Sequence, residues 1–194
     1  MALSVIYIPG LGDNVSLGQP VILSGWRLFG LKIHYFPLGW GDKEKFGPKL
    51  QRLLNKVDQL QKQGNKVSLV GVSAGASAVL NAYANRKNLT AVVCIVGKIN
   101  HPETIGPQRY IDNPAFKDSI LMVKGSLAKL GRHERSRIMS IHPLTDETVP
   151  VADTIIPGAF EVITPTNGHV FSIFYTIVFK SRTIAKFLKE QAKK

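Results

Sequence analysis

The sequence predicts an α/β fold: a mostly parallel sheet of about six strands with helices on both faces. Three observations predict it. Short apolar, β-rich runs alternate along the chain with longer stretches whose apolar residues recur at helical spacing. Most of these segments are bounded by glycine, asparagine or a charged turn. No internal repeat, low-complexity tract or linker divides the 194 residues, so a single domain over 1–194 is expected.

The chain opens with a strand at residues 3–8, Leu-Ser-Val-Ile-Tyr-Ile, which runs into the turn formers Pro9 and Gly10. A second β-rich run covers 32–36. Residues 46–63 then place Leu50, Leu53, Leu54, Val57 and Leu60 on one face of a helix that Gly64 stops. Strand 66–70, helix 74–86 and strand 90–96 follow. After a connection over 97–114 that contains Pro102, Gly106 and Pro107, the spacing of Phe116, Ile120, Val123, Leu127 and Leu130 gives another helical face, weakened by Gly125. Strand 137–141, a short helix near 151–155, strand 160–163 and one long helix over 170–191 complete the reading. In such a sheet ligands bind at the carboxyl ends of the strands.

Composition narrows the function classes. The one cysteine, Cys94, has no partner for an internal disulfide, and the first residues carry neither a basic stretch nor an apolar signal segment, so a cytoplasmic protein is expected. No window reaches the roughly 18 apolar residues of a membrane span. The net charge of +12 raises the question of an anionic partner. Its lysines and arginines fall in 43–66, 117–137 and 180–194, interspersed with apolar residues at helical spacing, and no nucleic-acid-binding signature accompanies them. Solvated helix faces account for most of them, and no nucleic-acid partner is expected.

Chemistry concentrates in Gly71-Val72-Ser73-Ala74-Gly75, a Gly-x-Ser-x-Gly sequence with a strand before it and a helix rich in small residues after it. A serine on so tight a strand-to-helix turn needs strained backbone and has no room for neighbouring side chains, hence glycine two residues to either side. Ser77 lies already inside the helix. The hydroxyl needs a base, and the base a third group to orient it. Of the five histidines, His169 stands in Thr166-Asn-Gly-His169, between the last strand and the last helix. His34 reads as a core histidine, His133 as solvated, His142 as structural beside Pro143, and His101 as a pocket residue.

For the orienting acid, Asp146 follows strand 137–141 at the same sheet edge, with Asp153 and Glu147 as rivals and a helix-capping role as the bland alternative. Donors for a developing oxyanion are available from the amide of Ala74 and from Leu11 or Gly12 in the turn after the first strand. The 97–114 connection is the candidate pocket cover, with Gly10, Ile99, His101, Ile105 and Tyr110 as pocket residues. That short cover predicts a shallow site that favours short acyl chains without activation at a lipid interface.

Together these residues resemble the α/β-hydrolase family, particularly its small cytoplasmic serine esterases and lipase-like members. The resemblance spans nearly the whole chain. It is carried by Gly71-Val-Ser-Ala-Gly75, by His142-Pro-Leu-Thr-Asp146-Glu-Thr-Val-Pro150 and by Gly168-His169. It implies a triad of Ser73, Asp146 and His169. It also implies a reduced fold with little or no cap, because the chain begins where the family's third strand usually lies. The family's common His-Gly pair is Pro9-Gly10 here. The expected function is cleavage of a small-molecule carboxylic ester or thioester through an acyl-serine, with no metal or organic cofactor. The alternatives are an acyltransferase or amidase with the same triad, and a non-catalytic binding protein on this scaffold.

Overall fold

The computed structural model describes residues 3–13 and 18–194. It contains β1 (Leu3–Ile8), α1 (Gly18–Ser24), β2 (Leu31–Tyr35), α2 (Phe46–Lys62), β3 (Lys66–Val72), α3 (Ala74–Asn85) and β4 (Val92–Ile95). These are followed by α4 (Pro107–Asp112), α5 (Pro114–Ala128), α6 (Arg132–Arg135), β5 (Ile138–Thr145), β6 (Phe160–Asn167), α7 (His169–Phe179) and α8 (Ser181–Gln191). Short 3-10 turns lie at Gly25–Phe29, Pro102–Thr104 and Val151–Thr154.

The six strands form one sheet in the order β2-β1-β3-β4-β5-β6, and every pairing is parallel. Parallel strands need covered faces, and the side-chain alternation supplies two cores. Ile6, Ile8, Val67, Leu69, Val92 and Cys94 face a layer built from α2, α3 and α5. Val5, Tyr7, Val70, Val72, Val93 and Ile95 face the opposite layer, where Trp26, Ile177, Ile184 and Leu188 pack. From β1 the chain turns outward to β2 and then returns past β1 to β3. The strand order therefore reverses between β1 and β3, and a crevice opens at their carboxyl ends.

Several expectations change. The single long final helix is two, broken at Lys180 between α7 and α8. The helix expected near 151–155 is one 3-10 turn. Strand β6 runs on through Thr164 to Asn167, and β5 on to Thr145, so both carry the chain further toward the crevice edge. The 97–114 connection is wound into a 3-10 turn and α4. Lys49, expected on a solvated face, is fully buried: its ammonium donates to the Leu38 carbonyl at 2.8 Å, the Gly39 carbonyl at 2.9 Å and the Asp42 carboxylate at 2.6 Å. Among the described residues no helix is long and apolar enough to cross a membrane.

Candidate active site

Strand β3 delivers Ser73 to the crevice. Its backbone sits at φ 52°, ψ −118°, a conformation that side chains rarely adopt, between the strand and the first residue of α3. The strain is held from both sides. Ser73 N–H donates to the Ile95 carbonyl at 2.9 Å, and the Ser73 carbonyl accepts from Ala76 N–H at 3.1 Å and Lys98 N–H at 3.2 Å. The flanking glycines are steric necessities. A Cβ at Gly71 would lie 2.3 Å from the Gly75 carbonyl oxygen, and one at Gly75 would lie 2.4 Å from the Ile8 carbonyl oxygen and 2.8 Å from that of Pro9.

His169 is the first residue of α7, set there by Gly168 at φ 82°. Its Nε2 lies 3.0 Å from Ser73 Oγ and its Nδ1 lies 2.8 Å from Asp146 Oδ2. A carboxylate accepts, so Nδ1 carries the proton and Nε2 presents its lone pair to the serine hydroxyl. The Asp146 side chain is fully buried. Its other oxygen accepts from Thr148 N–H and Val149 N–H, both at 2.8 Å, so the charge is held by three donors. Glu147 Oε1 accepts from His169 N–H at 3.3 Å, which fixes the backbone at the start of α7. Thr164, Thr166 and Ser172 form a chain of hydroxyls ending on the carbonyl of Gly168, the residue before His169.

The loop after β1 closes the other wall. Trp40 Nε1 donates to the Pro9 carbonyl at 3.2 Å and Gly39 N–H donates to Asp13 Oδ2 at 2.7 Å, tying this loop to the segment before α2. Gly10 abuts Ser73: a Cβ there would lie 3.0 Å from Ser73 Cβ. Gly10 and Leu11 line the cavity over Ser73 while Gly12 does not. Ala74 N–H, at the start of α3, has no acceptor within its own helix.

The cavity has a volume of about 590 Å³. Besides Ser73, His169, Gly10 and Leu11 it is lined by Ile22 and Gln19 of α1, by Val170, Ile173, Phe174 and Ile177 of α7, and by Thr148 and Arg109. Of the 97–114 connection expected to cover the pocket, Arg109 alone reaches this wall. Ile99 is buried in the α2/α3/α5 core, and Ile105 and Tyr110 line a separate depression with Pro102, Pro107 and Lys117. His101 turns to Asp153, its Nδ1 2.5 Å from Oδ1, and Asp153 also pairs with the buried Lys98. This network ties the chain after β4 down at the crevice edge. It also occupies Asp153, the rival acid, at a place away from His169. Of the residues expected to surround the pocket, only Gly10 does so.

Sequence reasoning missed α1, the inward face of α7, and Arg109. The apolar run over 170–179 was visible, but a helix apolar on most sides reads as simply buried unless a cavity is known to face it. The remaining histidines stand apart from the crevice residues: His34 Nε2 is 3.3 Å from Ser4 Oγ, His133 is exposed, and His142 Nε2 is 2.6 Å from Glu161 on the adjacent edge strand. Among the described residues no group of three or more His, Cys, Asp or Glu side chains is placed to hold a metal ion.

No family model and no curated protein matches the chain. Solved structures do. The chain is similar to Est1E from Butyrivibrio proteoclasticus, with a TM-score of 0.77 at 16% identity over 100% of this chain and 89% of that one. It is also similar to the monoacylglycerol lipase of Paleococcus ferrophilus, with a TM-score of 0.62 at 15% identity over 97% and 94% of the two chains. An α/β-hydrolase superfamily protein from Enterococcus faecalis gives a TM-score of 0.61 at 16% identity over 97% and 91%. At these identities the likeness is one of fold: the chain has the α/β-hydrolase fold, over essentially its whole length.

Proposed function

We propose that the protein is a serine hydrolase that cleaves a carboxylic ester or thioester through an acyl-Ser73 intermediate. The observation that carries this reading is the unbroken hydrogen-bonded chain from Ser73 Oγ through His169 to the buried carboxylate of Asp146, at a serine with a left-handed φ. The esterase and lipase names of the structures that share its fold support the same substrate class.

His169 Nε2 takes the Ser73 proton as Oγ attacks the carbonyl carbon, and Asp146 holds the ring in the reactive tautomer and stabilises the imidazolium. The carbonyl oxygen gains charge as the tetrahedral intermediate forms. Ala74 N–H, assisted by the α3 dipole, and Leu11 N–H are the donors for it, each typically worth about 3 kcal/mol in the transition state. Imidazolium then protonates the departing alkoxide or thiolate, leaving the acyl group on Oγ. In the second half His169 takes a proton from water, hydroxide attacks the acyl carbon, and Ser73 leaves as the protonated alcohol while the acid departs.

The walls given by Ile22, Ile173, Phe174 and Ile177 form an apolar slot between α1 and α7 beside the nucleophile. That slot accommodates a hydrocarbon group longer than acetyl.

The test is hydrolysis of 4-nitrophenyl butyrate by the wild-type protein and by Ser73→Ala. Loss of turnover by about 10⁴-fold or more in a variant with an unchanged denaturation midpoint is expected. A Ser73→Ala variant as active as the wild type would remove the basis of the reading.

A further inference from the structure

The cavity changes character across the sheet. On the side of α1 and α7 its wall is mainly hydrocarbon, with Gln19 as the polar side chain from α1, and Ile22, Ile173 and Ile177 belong to or pack on that layer. On the other side the wall includes Arg109 of α4, whose neighbours Ile105 and Tyr110 pack on the α2/α3/α5 layer. Ser73, at the end of β3, stands at the sheet edge between the two.

Among the described residues Arg109 is the only lysine or arginine in this wall, and no ion pair engages it. The segments outside the described residues, 1–2 and 14–17, contain no aspartate or glutamate, so none of the chain's 13 acidic residues lies there to neutralise it. Arg109 is exposed and stands at the rim of the cavity, where its charge raises the positive potential at the entrance and its planar fork matches a carboxylate or phosphate two bonds at a time.

We infer that Arg109 is a specificity residue: it binds an anionic oxygen group, carboxylate or phosphate, of an ester whose hydrocarbon portion lies in the slot between α1 and α7. The substrate class is then an anionic amphiphilic ester, with the charged group and the hydrocarbon on opposite sides of the scissile carbonyl. This rests on the acyl-Ser73 reading.

The experiment compares matched esters. In one series the leaving group varies: 4-carboxyphenyl, 4-phosphonophenyl and the neutral 4-carbamoylphenyl butyrate. In the other the acyl group varies: mono-4-nitrophenyl adipate against methyl 4-nitrophenyl adipate. The quantity read is the ratio of kcat/KM for the anionic ester to that for its neutral partner. In at least one series the wild-type ratio exceeds one by about 10-fold at low salt, the change residing in KM, since charge-assisted hydrogen bonds are the stronger class. The ratio falls toward one in about 1 M salt, where the Debye length is short. Arg109→Gln abolishes the preference, Arg109→Lys keeps part of it, and Arg109→Glu inverts it. The relative response to carboxylate and phosphonate identifies the anion. Ratios at or below one in both series, or a preference that survives in Arg109→Gln, would overturn the assignment of Arg109 alone. Absence of turnover of every ester, neutral ones included, would instead overturn the hydrolase reading and this inference with it.

Discussion

Replacing Gly75 with alanine adds one methyl group, and the structure says where it goes. The new Cβ meets the Ile8 carbonyl oxygen at 2.4 Å, the Pro9 carbonyl oxygen at 2.8 Å and the Ile8 carbonyl carbon at 3.1 Å. All three are backbone, so no rotamer change relieves the contact. A carbon–oxygen contact relaxes near 3.3 Å, so α3 and the end of β1 must separate by about 1 Å. Overpacking of this kind costs about 1–3 kcal/mol of stability. The movement also pulls Ala74 N–H away from Leu11 N–H, on either side of the proposed oxyanion position, and a displacement of about 1 Å at a reacting centre costs on the order of 100-fold in rate. Gly125 is the control. It lies on the exposed face of α5, where a Cβ meets nothing within 4 Å, so Gly125→Ala stabilises by about 0.5–1 kcal/mol. Urea denaturation and 4-nitrophenyl butyrate kinetics on both variants read the two effects. A Gly75→Ala protein as stable and as active as the wild type would refute the geometry of the turn.

Three further outcomes are expected. Asp146→Asn loses about 10⁴-fold in kcat with folding intact, because the ring is then held in the wrong tautomer, and adding it to Ser73→Ala costs little more, as steady-state kinetics on the single and double variants will show. The Lys49 ammonium bonded to Asp42 holds that carboxyl below its usual range, and Arg52 holds Glu44 down to about 2. Such groups contribute stability in full above the unfolded-state values near pH 4 and lose it as pH falls through the folded ones. The urea midpoint should therefore hold steady down to about pH 5 and drop below about pH 4, less steeply in Asp42→Asn. Burial pushes the Cys94 thiol far up from its ordinary value, so a thiol-disulfide reagent at pH 8 should react with the unfolded chain and not with the native one.

What the sequence disclosed follows from where physics leaves a mark on residue type. The turn around Ser73 was legible because the approach of α3 to β1 excludes every side chain at 71 and 75, which writes glycine into the sequence. The strands were legible because burial on both faces makes continuous apolar runs. The choice between Asp146 and Asp153 was not, since both follow β5 in polar segments and only packing sends one to His169 and the other to Lys98 and His101. Helix α1 was hidden because Gly18, Pro20 and Gly25 read as turn formers, although proline is tolerated in a first helical turn. The strand read over 160–163 ends before Pro165, yet β6 continues through it, since proline is admitted on the edge strand that β6 is. The break at Lys180 leaves no trace in the hydrophobic period. Arg109 was passed over because 97–114 read as loop, and only its winding into α4 sets that side chain at the cavity wall.

The central claim is that Ser73 is an activated nucleophile, and a fluorophosphonate probe measures that property without any assumption about substrate. The wild-type protein should take up one equivalent, with peptide mapping placing the label on Ser73, and both Ser73→Ala and His169→Ala should stay unlabelled while remaining folded. A folded wild-type protein that takes up no label, or one labelled at a different serine such as Ser77, would contradict the account.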